Sequence, residues 1–173
     1  MKLSEFRLQP LERKHLILLL ELRNQPDNLK WLQNQRLISE KEQYNWYEKL
    51  DPNRFQQFIV FFQNEAIGEV HLKEIHLDSR SAECGIMMDK NSKGTGMAFA
   101  ASYLLLSHAF EVLQLQSITA KVHPKNETVK KYNQFLGFEF CRKTEDGFEY
   151  YEMNRTKFPL LVEKIKPLIE LTL

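Results

Sequence analysis

The chain has 173 residues and a formal net charge of +1, with 24 Lys and Arg residues against 23 Asp and Glu residues. Apolar residues make up 43% of the sequence and charged residues 27%, which is the composition of a single globular domain rather than of a disordered chain. The near balance of charge excludes a general attraction to nucleic acid or to an anionic membrane surface.

Neither a membrane span nor a metal-binding pattern is evident in the sequence. The longest apolar run, at residues 16–20, is too short to cross a bilayer, and the sequence has no signal-peptide pattern. Cys84 and Cys141 lie in unrelated contexts without metal-ligand spacing. We therefore expect a reduced, cytoplasmic protein without a metal site.

The first half of the chain is predicted to form one strand, two helices and three further strands, at residues 4–8, 11–24, 39–50, 58–62, 67–76 and 81–88. Pro26 lies just beyond the first helix and is typical of a helix end. Ser39 and Glu42 have the spacing of a capping box at the start of the second helix. Short turns join the last three strands, which predicts an antiparallel meander.

The second half is predicted to form a helix, a strand, a helix and a hairpin, at residues 97–113, 117–122, 127–136, 138–142 and 148–153. This order predicts an α/β fold with a mixed, mostly antiparallel sheet of about seven strands and helices on both faces. Residues 1–157 form the predicted domain, and residues 158–173 form an amphipathic tail. Packing of the tail on the domain is the simpler expectation, and dimer formation is the alternative. The apolar residues on one side of the tail are Leu161, Ile165, Leu168 and Ile169.

The loop after the strand at residues 81–88 contains Lys93, Gly94 and Gly96, and a helix follows at once. Such a loop turns backbone N–H groups toward one point at the positive end of a helix dipole, so a pyrophosphate is the expected guest. The Rossmann pattern fails because Phe99 occupies the third glycine position, and the P-loop pattern is absent. A purely structural turn is the remaining alternative.

Two landmarks in the sequence carry a resemblance to a known family. Residues 91–96, Asn-Ser-Lys-Gly-Thr-Gly, resemble the Arg/Gln-x-x-Gly-x-Gly/Ala signature of the GNAT superfamily, although Asn91 departs from its first position. Asn126 and the later Leu-Gly-Phe sequence at residues 136–138 resemble a second block of that family. The resemblance covers residues 4–155. It implies a GNAT fold and direct transfer of an acetyl group from acetyl-CoA to an amine.

The resemblance also implies where acetyl-CoA binds. Its pantetheine arm is expected between splayed strands, beside the backbone of Met87 and Met88, and Asn126 is expected to hydrogen-bond the cofactor. An Asn at a helix start is equally well explained as an N-cap. The residues expected around the pyrophosphate are Asn91, Ser92, Lys93, Gly94, Thr95 and Gly96.

The amine must lose a proton before it attacks, so a base is required. Glu83 is the first candidate because it lies on the strand that leads to the cofactor gap; a salt-bridged strand residue is the structural alternative. Glu69 and His71 share a face of the preceding strand and are fallback bases. His108, in the middle of a helix, is expected to be structural.

A proton donor for the leaving thiolate is less clearly indicated. The resemblance implies a Tyr four residues before Gly137, where this chain has Asn133. Tyr132 is one residue earlier, which rotates its side chain by about 100° around the helix. Asn133 and Tyr132 are both kept as candidates. Because Asn91 and Asn133 depart from the family pattern, a domain that binds acetyl-CoA without catalysis is an alternative.

The acceptor is suggested by a second resemblance. Residues 22–27, which contain Arg23 and Asn24, and the loop with Asn91 resemble the pseudaminic-acid pathway N-acetyltransferases. That resemblance implies a UDP-linked 4-amino-4,6-dideoxy sugar bound by Arg23 and Asn24, since a guanidinium forms bidentate contacts with phosphate. An ordinary surface charge is the alternative for Arg23.

A RimJ/RimL-like protein N-terminal or polyamine acetyltransferase is the second choice within the same family. A polyamine site requires a cluster of carboxylates. The carboxylates of the second helix alternate with lysines, which argues mildly against it; they are Glu40, Glu42 and Glu48.

Overall fold

The computed structural model describes residues 1–170 and contains seven strands and six α-helices within that range. The strands are β1 (Phe6–Pro10), β2 (Phe55–Phe62), β3 (Glu65–His76), β4 (Ser81–Met88), β5 (Ser117–Val122), β6 (Glu139–Lys143) and β7 (Glu149–Asn154). The helices are α1 (Leu16–Asn24), α2 (Pro26–Leu29), α3 (Glu40–Tyr47), α4 (Met97–Ser107), α5 (Glu127–Leu136) and α6 (Phe158–Ile165).

All seven strands join one sheet in the order β1-β2-β3-β4-β5-β7-β6. Only β4 and β5 pair in parallel, and every other neighbouring pair is antiparallel. The predicted meander is confirmed as β2-β3-β4, and the mixed, mostly antiparallel sheet is confirmed as well. None of the helices in residues 1–170 is long and apolar enough to cross a membrane.

Side-chain alternation along the central strands gives the sheet two different faces. On one face, Val70 and Leu72 of β3 are completely buried in the main core, which α4, α5 and α6 cover. On the other face, β3 presents Glu69 and His71, and α1 and α3 pack over that side. The polar face therefore has room for a site, while the apolar face stabilises the domain.

Helix boundaries differ from the predictions where the chain begins or leaves a helix. Residues 13–15 form a 3-10 turn, so α1 starts only at Leu16. Pro26 ends α1 but also starts the short α2, because a proline fits the first position of a helix. The predicted helix at residues 97–113 ends as α4 at Ser107 and continues as a π-helical turn over His108–Val112. The capping box of α3 is confirmed, with Ser39 as its N-cap.

The tail packs against the domain in its described part. Leu161, Ile165 and Ile169 are buried, whereas Leu168, which the sequence groups with them on one side of the tail, is 46% exposed. The backbone N–H of Leu3 donates to the carbonyl of Glu170 at 2.8 Å, which ties the end of the tail to the start of the chain. Residues 171–173 of the predicted tail lie outside the described residues.

Candidate active site

The sheet opens between its two parallel strands. β4 and β5 are paired from Ser81 and Ser117 to Cys84 and Ala120. Beyond Cys84, β4 continues for four residues, and its edge toward β5 has no strand partner in the described sheet. This splay is the opening in which the sequence resemblance expects the cofactor, and the backbone of residues 85–88 lines it.

A loop of residues 89–96, here called the glycine loop, follows directly and is folded by its own side chains. The Asp89 carboxylate accepts the backbone N–H of Asn91 at 2.6 Å and that of Ser92 at 3.0 Å. The Ser92 hydroxyl donates to the same carboxylate at 2.8 Å, and the Thr95 hydroxyl donates to the Ser92 carbonyl at 2.7 Å. The loop is thus preorganised without a ligand.

The backbone amides of residues 93–96 are left free by this arrangement. None of the four has an acceptor among residues 1–170. Gly94 and Gly96 have φ angles of 76° and 89°, in the left-handed region that favours glycine. A Cβ on Gly94 would meet no protein atom within 4 Å, so the space beside it is open to a ligand. Free amides at the start of α4 fit a pyrophosphate.

The surroundings of Met87 and Met88 differ in part from those expected of residues that contact acetyl-CoA. Lys93 supplies a cation from the glycine loop itself; burial is the main cause that lowers its pKa, and the charges of Asp27 and Lys30 also act on it. The Met88 carbonyl accepts a hydrogen bond from Asn28 Nδ2 at 3.2 Å, and the same Nδ2 donates to the Leu22 carbonyl at 2.9 Å. The Met88 carbonyl is therefore already hydrogen-bonded to α2. The side chain of Met87 is partly exposed and lies on the opposite face of the sheet from the side chain of Met88.

Asn126 caps α5. Its Oδ1 accepts the backbone N–H of Val129 at 3.2 Å, which confirms the predicted N-cap. The Nδ2 group of Asn126 has no acceptor among the described residues. The cofactor hydrogen bond expected of this side chain stays a prediction, and Nδ2 is the atom available to make it.

Glu83 is held in an ion pair. Its Oε1 lies 2.8 Å from Lys73 Nζ, and the two residues are direct partners in the β3–β4 register. Burial and the nearby Glu83 carboxylate raise the pKa of Tyr150. Lys73 occupies one of the two carboxylate oxygens of Glu83. The geometry therefore disfavours Glu83 as the base, although that role stays a prediction.

The two proton-donor candidates are neighbours on α5, and Tyr132 contacts α4. The Tyr132 hydroxyl donates to the Ala98 carbonyl at 2.8 Å and lies 2.7 Å from Ser102 Oγ. Burial raises the pKa of Tyr132 above its ordinary value, so the group keeps its proton at neutral pH. Asn133 is buried on the next position of α5. Neither assignment as the proton donor is tested by this geometry, and both stay predictions.

A covalent route through Cys84 is disfavoured. Burial and the Glu83 carboxylate raise the pKa of its thiol to about 12, so almost no thiolate is present at neutral pH. No group of three or more His, Cys, Asp or Glu side chains within residues 1–170 is placed to hold a metal ion.

A cleft of about 400 Å³ opens on the polar face, between α1, α3 and the central strands. The Trp46 ring meets the Phe55 ring edge to face with centroids 5.7 Å apart, which gives the cleft an aromatic wall. Met87 of β4 also lines it, so the cleft reaches the strand that borders the splay. The remaining lining residues are Leu19, Arg23, Leu32, Arg36, Ile38, Glu42, Gln43, Gln57 and His71.

Arg23 and Asn24 fasten the loop between α2 and α3 rather than standing free. The Arg23 guanidinium donates to the backbone carbonyls of Asn34 and Arg36, each at 3.1 Å. Asn24 Nδ2 donates to the Ile38 carbonyl at 2.9 Å. Arg23 lines the cleft, but much of its donor capacity is used by the loop. Asn24 is placed as a structural clamp and is not among the cleft-lining residues.

Three polar side chains of β2 and β3 form one network at the cleft. Glu69 has no exposed surface, and its Oε2 accepts Gln57 Nε2 at 2.7 Å. His71 Nδ1 lies 3.1 Å from the same oxygen. A Cβ on Gly85 would overlap Cε1 and Nε2 of His71, so the imidazole lies directly against β4 where its pairing with β5 has just ended.

The sequence did not single out Gln57, Trp46 or Asn28 as site residues. Gln57 lies opposite His71 in the antiparallel register of β2 and β3, a pairing that the sequence alone does not fix. His108, which the sequence predicts to be structural, lies on the apolar face: its Nε2 is 2.8 Å from Gln56 Oε1, and burial lowers its pKa.

The chain was compared with known proteins. A family model described as an acetyltransferase (GNAT) domain matches residues 5–139. A spermidine N(1)-acetyltransferase of Escherichia coli (strain K12) is 29% identical over 133 residues, which cover 76% of this chain and 72% of that enzyme. An uncharacterised N-acetyltransferase of Bacillus licheniformis is 34% identical over 87 residues, which cover 50% of this chain and 48% of that protein.

Solved structures give the same result. The spermidine N-acetyltransferase from Vibrio cholerae, in complex with CoA and spermine, superposes with a TM-score of 0.82 and 25% identity, covering 90% of this chain and 99% of that one. The free amides of the glycine loop and the splay beside β4 agree with the family match. The chain therefore belongs to the GNAT family and is an N-acetyltransferase that uses acetyl-CoA.

Proposed function

We propose that this N-acetyltransferase acts on a primary amine of a small molecule that binds in the cleft between α1 and α3. The supporting observation is that the cleft and the splay share β4. Met87 lines the cleft, and the imidazole of His71 lies against Gly85 at the point where the splay begins. An amine in the cleft can therefore reach a thioester that lies along β4.

We assign acetyl-CoA to the splay and the glycine loop. The amides of residues 93–96 and the Lys93 ammonium hold the pyrophosphate, while residues 85–88 and Asn126 border the pantetheine arm. When bound, acetyl-CoA supplies the activated acetyl group as a thioester. Exposed Asn91 lies at the entrance of the glycine loop, and Ser92 and Thr95 keep the loop folded.

A polyamine is the first candidate acceptor. Two relatives that cover most of this chain are named as spermidine acetyltransferases, and one of them was solved with spermine. They support the polyamine alternative better than the sugar nucleotide suggested by residues 22–27. A long, narrow amine also suits a cleft whose walls are mainly apolar and aromatic, since alkyl segments pack on such walls.

The charges of the cleft favour a second candidate, an amine that also carries an anionic group, such as the UDP-linked amino sugar. Burial is the main cause that lowers the pKa of Arg23, and the nearby Arg36 adds to it, so two guanidinium groups lie close together. Glu42 is paired with Arg36 at 2.6 Å, and this contact is the main cause that lowers its pKa to about 2. The carboxylate is therefore ionised, but the Arg36 guanidinium offsets its charge. A polycation therefore gains little electrostatic attraction from this side of the cleft.

Competition between acceptors decides the class. The purified protein is given acetyl-CoA with spermidine, a UDP-linked 4-amino-4,6-dideoxy sugar or an N-terminal peptide, and thiol release is followed. The polyamine assignment predicts the highest kcat/KM for spermidine. The anionic assignment predicts the sugar nucleotide, with a rise in KM in Arg36→Gln. Preference for the peptide would contradict both small-molecule assignments.

A further inference from the structure

The polar face holds a buried network of hydrogen-bonded side chains, formed by Glu69, Gln57 and His71, that packing of the sheet does not require. Glu69 has no exposed surface, and its partners are Gln57 Nε2 at 2.7 Å and His71 Nδ1 at 3.1 Å. A buried carboxylate is costly to the fold unless hydrogen bonds compensate its charge. Purely structural packing would be served better by apolar side chains at these central positions.

The hydrogen bond with Glu69 bears on which ring nitrogen of His71 carries the proton. With Glu69 ionised, its carboxylate only accepts hydrogen bonds, and His71 Nδ1 is the nitrogen that carries the donated proton. In a neutral imidazole, Nε2 is then the unprotonated nitrogen with a free lone pair. No protein group among residues 1–170 contacts Nε2 by a hydrogen bond. The side chain is 20% exposed, on the wall of the cleft.

The ring is also fixed in place. The Phe55 ring stacks on it with centroids 5.8 Å apart and planes at 17°. On the other side, only a glycine at position 85 leaves room for Cε1 and Nε2. Because Cys84 is the last residue of β4 that pairs with β5, Nε2 lies at the closed end of the splay.

Gln57 adds an independent sign that an amine binds here. Its Nε2 must face Glu69, which fixes the orientation of the amide. Its Oε1 is buried and has no hydrogen-bond partner in the described part of the chain. An unpaired buried carbonyl costs about 1–3 kcal/mol, and an N–H donor from a ligand removes that cost. Gln57 lines the same cleft as His71.

We propose that His71 is the catalytic base of this enzyme, that Glu69 positions its imidazole, and that Gln57 Oε1 accepts an N–H of the amine. This inference rests on the proposed function and assigns its proton transfer. Nε2 takes one proton from the ammonium form of the acceptor and later releases it to solvent. The amine nitrogen bonds to the acetyl carbon as the carbon–sulfur bond breaks. The thiolate leaves with the electron pair and receives the second proton of the amine nitrogen.

The charged side chains near His71 are compatible with its role as a base. Six charged side chains lie on the same face of the central strands or line the cleft: Glu69, Lys73, Glu83, Arg23, Arg36 and Glu42. Lys73 and Glu83 form one ion pair and Arg36 and Glu42 another. Among the described residues, Glu69 is the charged group within hydrogen-bond distance of the imidazole.

The test combines a variant, a matched control and a spectroscopic measurement. In His71→Gln, the new amide still donates to Glu69 but cannot act as a base. Against spermidine and the UDP-amino sugar, kcat is expected to fall by about 10²-fold or more, and the thermal shift on acetyl-CoA binding is expected to persist. His108→Gln makes the same replacement on the other face and is expected to leave kcat unchanged. If the wild type turns over and His71→Gln stays within about threefold of it at every pH, His71 is not the base.

A second measurement does not depend on turnover, so it separates this inference from the acceptor assignment. ¹⁵N NMR of the wild-type histidines distinguishes a protonated ring nitrogen from an unprotonated one. The neutral His71 ring is expected to carry its proton on Nδ1, and Glu69→Gln is expected to disturb that preference. A proton found on Nε2 of the neutral ring in the wild type would overturn the proposal.

Discussion

Gly94 is the residue at which the cofactor assignment is most sharply testable. Its φ angle is 76° and a Cβ there has open space, so Asp and Asn at this position carry the same modest backbone strain. The two side chains differ mainly in charge. We expect Gly94→Asp to abolish the rise in melting temperature that acetyl-CoA causes, because a carboxylate repels the pyrophosphate. Gly94→Asn is expected to keep most of the rise. Equal shifts in both variants, measured by thermal unfolding, would place the pyrophosphate elsewhere.

Single residues also show where sequence reasoning succeeds. The glycine loop and the Asn126 cap are local features, since their partners lie within a few positions along the chain, and both were predictable from motif and spacing. Arg23 and Glu83 were not, because their partners lie farther away: Asn34 and Arg36 for the first, and Lys73 for the second. A sequence shows the charge of such residues but not what neutralises it.

Among the elements, α6 offers a matched pair of positions. Leu161 is 1% exposed and packs in the main core, whereas its neighbour Leu160 is 64% exposed. Leu161→Ala is expected to lower the free energy of unfolding by about 2–5 kcal/mol through loss of buried methyl groups and a cavity. Leu160→Ala is expected to change it by less than about 0.5 kcal/mol. Urea unfolding measures both. A small effect at Leu161 would show that the tail is dispensable for the domain.

The end of α4 predicts a pH dependence of stability. Burial lowers the pKa of His108 in the folded chain, so the fold favours its neutral form. Its contribution is fully present above the unfolded value of about 6.5 and is lost as the pH falls below it, because only the unfolded chain then takes up the proton. We expect the free energy of unfolding to drop more steeply in the wild type than in His108→Gln when the pH is lowered. Identical slopes in urea titrations would contradict this.

Elements with a strong periodic pattern were predictable almost to the residue, as β4, β5 and α5 show. Element ends were not predictable where backbone geometry changes without a change in composition, as at the 3-10 turn before α1 and the π-helical turn after α4. Such turns satisfy backbone hydrogen bonds of a helix end and leave little trace in the hydrophobic pattern.

For the molecule as a whole, the order of elements and one loop motif were sufficient to predict the fold. The cleft was not predictable in the same way, because its lining comes from six separate parts of the chain, namely α1, the loop before α3, α3, β2, β3 and β4. Trp46 comes from α3, Arg23 from α1, Gln57 from β2 and His71 from β3. The register between β2 and β3 brings Gln57 opposite His71, and sequence alone does not fix that register.

We propose that the splay and the cleft together transfer an acetyl group to an amine, and one assay can decide this. The wild-type protein is given acetyl-CoA and each candidate amine, and released thiol and acetylated amine are counted together. We expect one acetylated amine for each thiol, no thiol without an amine, and no acetyl group left on the protein. Binding of acetyl-CoA without acetylation of any of these amines would instead identify a domain that binds the cofactor without catalysis.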